Sequence, residues 1–99
     1  MLGTKSIIKT LADVTGDGSA HQLTASSIKC RWAIISAASG NGSDMRIGDV
    51  STSNTQGATI PKGGAFILRP LPEMPVAYDL SDVYYFLANT DKLSVTYGE

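Results

Sequence analysis

Apolar and polar positions alternate most sharply near the end of the chain. Leu93, Val95 and Tyr97 are interleaved with Ser94 and Thr96, the signature of a strand with one buried and one wet face. Just before it, Val83 to Leu87 is β-branched, aromatic or apolar throughout, with Val83, Tyr85 and Leu87 on one side and Tyr84 and Phe86 on the other. Asn89-Thr90-Asp91-Lys92 supplies the turn between the two strands. A strand that is apolar on both faces needs cover on both. In a chain this short, the second cover is expected from another copy of the protein.

Earlier segments follow the same grammar. Between Ser6 and Val14 the apolar residues Ile7, Ile8, Leu11, Ala12 and Val14 fit helix and strand spacing about equally, and the reading preferred is a strand or extended arm. Thr15-Gly16-Asp17-Gly18-Ser19 is a turn, and Ala20 to Thr24 a short strand. Cys30 to Ala37 is the clearest internal strand, with Cys30, Trp32, Ile34 and Ser36 on one face and Arg31, Ala33, Ile35 and Ala37 on the other. Trp32 is the expected core anchor, since an enclosed indole buries roughly 200 Å². Asn41-Gly42 predicts a hairpin leading into the strand Asp44 to Gly48, and the polar run Asp49 to Gly57 predicts a surface loop. Ala58 to Ile60, a Pro61-Lys62-Gly63-Gly64 turn and Ala65 to Leu68 come next. Three prolines then fall between Pro70 and Pro75, in a segment that still carries Leu71, Met74 and Val76. Proline cannot donate to a ladder, so Arg69 to Val76 is expected at an edge or in an extended excursion, stiff enough to serve as a contact surface.

The pattern predicts an all-β fold: an antiparallel β-sandwich or jelly roll of seven to eight short strands, without significant helix. At 99 residues and 42% hydrophobic content there is room for one domain and a modest core. Residues 1–9 are expected to form an N-terminal arm or first edge strand and residues 10–99 a single β domain. The formal charge is −1, from eight basic and nine acidic residues, so no basic stripe exists to track nucleic acid or an anionic membrane. The lone Cys30 excludes an internal disulfide and a cysteine-based zinc site, and suits a small buried apolar role in a reducing compartment. Met1 to Lys9 lacks the continuous apolar core of a signal peptide, and no stretch approaches the ~20 residues of a membrane span, so a soluble product is expected.

Catalytic chemistry finds little material. The single histidine, His21, has no identifiable base or nucleophile partner in the sequence. Asp13 with Asp17, and Asp44 with Asp49, flank turns or short strands but lack the alternating ligand spacing of a calcium loop; aspartates in turns commonly serve the backbone. Asn41-Gly42-Ser43 matches a glycosylation sequon and is read as a turn. Tyr78, Tyr84, Tyr85 and Tyr97 could line a sugar-binding face, but packing in core and interface is preferred. No catalytic, metal or cofactor residue is assigned.

The succession of pieces carries more than any one of them. Val14 to Gly18, Gln22-Leu23, Lys29 to Ala37, Met45 to Asp49, Pro61 to Gly64, Tyr78 to Tyr84 and Asp91 to Tyr97, in that order, resemble small structural proteins of tailed bacteriophages. The resemblance implies a jelly-roll-like virion module of the head decoration, cement or head-fibre-base type, often trimeric and without enzymatic activity. It would be assembled in the host bacterial cytoplasm, with itself and the major capsid protein or another virion protein as partners. The contact residues expected on this basis are Leu2, Ile7, Ile8, Leu71, Met74, Val76, Tyr84 and Phe86. A tail or fibre module binding host glycan is the alternative.

Overall fold

The structure, a computed structural model, describes residues 8–70 and 78–99. It is all-β and sandwich-like, with eleven short strands and one 3-10 turn among the described residues. The count exceeds the seven or eight expected because two expected strands are each split in two and Tyr78–Asp79 adds a short one. The N-terminal stretch becomes β1 (Ile8–Thr10) and β2 (Val14–Thr15), and both lie along the same partner strand.

One sheet has the order β1, β11 (Lys92–Gly98), β5 (Trp32–Ala37), β8 (Ala65–Leu68), with β2 also on β11. The other runs β3 (Ala20–Gln22), β10 (Tyr84–Phe86), β6 (Met45–Gly48), β7 (Ala58–Ile60). A two-stranded ladder joins β4 (Lys29–Cys30) to β9 (Tyr78–Asp79), and all pairings are antiparallel. The core lies between the two larger sheets. Ala33, Ile35, Leu93, Val95 and Tyr97 face it from the first, and Met45, Ile47, Ile60 and Tyr85 from the second, flanked by Val83 and Leu87.

Two sequence expectations are corrected here. The first concerns Trp32. The buried side of β5 is Ala33, Ile35 and Ala37, whereas Trp32 is only half-buried and Ile34 is 38% exposed. Cys30 is nevertheless buried, because Arg31 is a bend between two ladders: Cys30 pairs with Tyr78 and Trp32 with Gly98. A break in the strand resets which side chains point inward, so a parity carried from Cys30 through Trp32 does not hold.

The second concerns Asn41-Gly42. The strands on either side of it, β5 and β6, belong to different sheets, so residues 38–44 form an arch across the sandwich, not a hairpin. Neither residue takes the positive φ of a two-residue hairpin turn. Asn41 is instead buried and clasps the far chain: its Nδ2 donates to the Lys92 carbonyl at 2.9 Å, and the Lys92 N–H donates to its Oδ1 at 2.7 Å. Next to it, buried Asp91 accepts from the N–H groups of Gly42 and Ser43 at 2.9 and 3.1 Å. The turn at residues 89–91 is likewise an arch, from β10 in one sheet to β11 in the other, with Thr90 in the left-handed region at φ 72°. Two arches thus bind each other at one end of the sandwich and fix the spacing of the sheets.

Gly16 closes the same end. Its N–H donates to the Asp91 carbonyl and its own carbonyl accepts from Thr90, and a Cβ there would collide with Leu87 and the Ala88 carbonyl. Close approach, not an unusual φ, is what requires glycine at this place; Gly18, two residues on, is the one with positive φ, 81°.

Candidate interaction surfaces

A strand pair directs opposed side chains to the same side, so the register fixes what each outer face carries. On the sheet containing β10, the outward residues include Tyr84, which opposes Gln22 and Gly48, and Phe86, which opposes Ala20 and Arg46. Both aromatics are half-buried, while Tyr85 between them is in the core. This is the two-sided strand expected from the sequence. Gln22 and Arg46 are each tied to a backbone carbonyl, Gln22 to Ser81 at 2.8 Å and Arg46 to Gly57 at 3.2 Å, so polar side chains flank the aromatic pair in fixed positions.

The outer face of the other sheet is a surface that the sequence pattern hides. β5 turns Trp32, Ile34 and Ser36 outward; across it lie Gly98, Thr96 and Ser94 of β11 on one side, and Ile67 and Ala65 of β8 on the other. β1 adds Ile8 beside Gly98. Three of the four exposed large hydrophobic residues of the described chain, Ile8 at 68%, Ile34 at 38% and Ile67 at 47%, therefore share this face. Its central rows hold no charged side chain. The sequence placed Trp32 in the core with Ile34 on the same strand face, and the misplaced parity at Arg31 is why the patch went unseen. The arginine itself, on the face that proves to be buried, was the signal that the strand must break there.

The expected contact residues divide accordingly. Ile8 lies on one outer face, and Tyr84 and Phe86 on the outer face of the opposite sheet. The structure does not bring them together. Leu2, Ile7, Leu71, Met74 and Val76 lie outside the described residues.

Polar clusters in the described chain serve the fold. Asp79 caps the 3-10 turn Leu80–Asp82 and accepts from Ser27 Oγ, from Ser81 N at 2.9 Å, from Ser81 Oγ at 2.7 Å and from Ile28 N at 3.1 Å. These donors, the Ser27 hydroxyl first and then the Ser81 amide and hydroxyl, hold its carboxyl well below the usual carboxylate range. His21 does have a partner, which sequence reading missed: its Nε2 lies 3.0 and 2.8 Å from the two Asp17 oxygens, and the hydrogen bond from His21 lowers the Asp17 carboxyl. The pair is exposed and is bonded to no nucleophile. Asp17 also accepts from Ser19 N and Asp49 from Ser51 N, the backbone role of turn aspartates. Among the described residues no three His, Cys, Asp or Glu side chains cluster as metal ligands would.

Burial, and then the charge of Asp79, pushes the Cys30 thiol up. An open cleft of about 270 Å³ beside it is lined by Lys29, Arg31 and Glu99, just under the ~300 Å³ at which ligand pockets begin. No helix among the described residues is long and apolar enough to cross a membrane. What the described surface offers is two broad sheet faces. Comparison with family models, with curated proteins and with solved structures finds no match to this chain.

Proposed function

We propose that this chain is a non-enzymatic structural protein of a bacteriophage virion, a capsid decoration, cement or head-fibre-base protein that binds the capsid surface as a homo-oligomer and stabilises the shell. The observation that carries the reading is that both outer sheet faces bear large apolar side chains: Ile34 and Ile67 on one, half-buried Tyr84 and Phe86 on the other. A module that worked alone in water would be expected to keep at least one sheet face polar. Contacts of this kind are modest singly and become effective when symmetry repeats them over a shell. The ordered resemblance to small tailed-phage structural proteins points the same way. The hydrogen bonds of Asn41 and Asp91 tie the two arches together, which limits the ordering entropy lost on docking.

The test is mass spectrometry of purified particles from the virus that encodes the chain, paired with sedimentation of the purified protein with undecorated shells. Stoichiometric presence in particles and saturable co-sedimentation are expected. Absence from particles overturns the virion reading.

A second reading has its own support. Tyr84 and Phe86 side by side on a sheet face, with Gln22 and Arg46 held beside them, form an apolar platform with polar flanks of the kind that stacks on sugar rings, which would suit a tail or fibre module contacting host glycan. Oligosaccharide titration that leaves tyrosine signals unmoved removes it.

A further inference from the structure

We infer that the outer face of the sheet β1-β11-β5-β8 is the surface through which two copies of this chain pair, face to face about a two-fold axis. The inference deepens the homo-oligomer part of the proposed function and rests on that part, but not on the virion setting. It moves the principal self-contact from Tyr84 and Phe86 to the opposite sheet.

Trp32, Ile34 and Ile67 stand in adjacent positions on the two neighbouring strands β5 and β8, with Ile8 at the β1 edge, and the side chains around them are Thr96, Ser36 and Ser94. The Trp32 indole lies over Gly98, the one position of β11 that carries no side chain to push it outward. A sheet face is not the enclosed, concave setting in which small ligands and cofactors sit. The charged side chain that strand alternation puts on this side, Lys92, sits at the end of β11 beside Thr15, and a single lysine at the margin is no basic stripe for nucleic acid or an anionic membrane. The partner that matches it must itself be a broad, uncharged surface with an apolar centre and a hydroxyl-bearing remainder, and a second copy supplies one.

Area agrees with that occupant. β11 and β5 run seven and six residues but β1 and β8 only three and four, so at ~4.8 Å strand spacing and ~3.4 Å rise the footprint is roughly 330 Å². With side-chain relief, two such faces bury about 1,000 Å² in total, the size of a weak, reversible interface. Two sheets packed on one another at ~10 Å is also how such faces meet inside β-sandwiches. A pair that comes apart on dilution is the expected outcome, with the uncharged centre dehydrated and Ile34 and Ile67 of each copy packed on the other.

Analytical ultracentrifugation of the full chain over a hundredfold concentration range tests this, read together with Trp32 emission. The wild-type protein should sediment as a dimer at high concentration and dissociate on dilution, with the emission shifting to the red as the indole meets water. Ile34→Lys and Ile67→Lys should each abolish the dimer, with unchanged far-UV circular dichroism because both side chains are already partly exposed. Tyr84→Ser, on the opposite sheet, should leave it intact. A monomer at every concentration overturns the inference, as does an oligomer that survives both lysine variants or is lost with Tyr84→Ser. Because no capsid is present, these outcomes are separate from success or failure of the virion reading.

Discussion

The indole of Trp32 occupies the space into which a Cβ on Gly98 would project, on neighbouring strands in direct register. Trp32 is the only tryptophan. Gly98→Ala must therefore displace the ring or the end of β11. The expected result is a red-shifted emission and a loss of about 1–3 kcal/mol, the usual cost of overpacking. Steady-state fluorescence and urea unfolding measure both, and an unchanged spectrum would show that the ring does not rest there.

Asn41 and Asp91 bind the two arches from opposite sides. Asp91→Ala leaves the Gly42 and Ser43 amides without their acceptor, and Asn41→Ala leaves the Lys92 N–H without its acceptor, while the Lys92 carbonyl keeps the Ala38 N–H as a donor. Each change is expected to cost about 1–3 kcal/mol. Because one structure is shared, the double variant should lose less than the sum. Chemical denaturation of the three variants checks this; strict additivity would mean that the arches act independently.

Acid should loosen the molecule through Asp79. Its folded-state value lies below the ordinary 3.8, so the stability it contributes is fully present above that value and is lost as pH falls through it towards the folded-state value. Asp79→Asn should have a lower Tm than the wild type at pH 7, with a gap that narrows between pH 5 and 3. Parallel Tm curves over that window would contradict the assignment.

Cys30 is 1% exposed and its thiol is shifted up from the ordinary 9.0, first by burial and then by the charge of Asp79. The folded protein should resist a disulfide reagent at pH 8 and react stoichiometrically once unfolded in guanidinium. The same shift means that this group's contribution to stability, present below pH 9, falls away as pH rises towards the folded-state value. Rapid labelling of the native protein would place the thiol at the surface.

The outward placement of Tyr84 and Phe86 was legible for a local reason: five successive residues that are β-branched, aromatic or apolar cannot all face one core. Ile34 and Ile67 were not legible, because nothing local marks an isoleucine as outward. The sign depends on where the strand starts, and in β5 that is set by the bend at Arg31. The partner of His21 was missed for a similar reason, since Asp17 reaches it only across the turn that Gly18 permits.

What the sequence alone determined is the class of fold and most of its strands. Period-two alternation, β-branched and aromatic runs, and Gly, Pro and Asn turns act over a few residues and do not depend on the rest of the chain. Only the tertiary structure decided which strands share a sheet, that Asn41-Gly42 and Asn89 to Asp91 are arches and not hairpins, and which face of each strand meets water. Those choices depend on pairings between residues distant in the chain, such as Asn41 with Lys92 and Trp32 with Gly98, and no local pattern encodes a partner that the chain reaches only once folded.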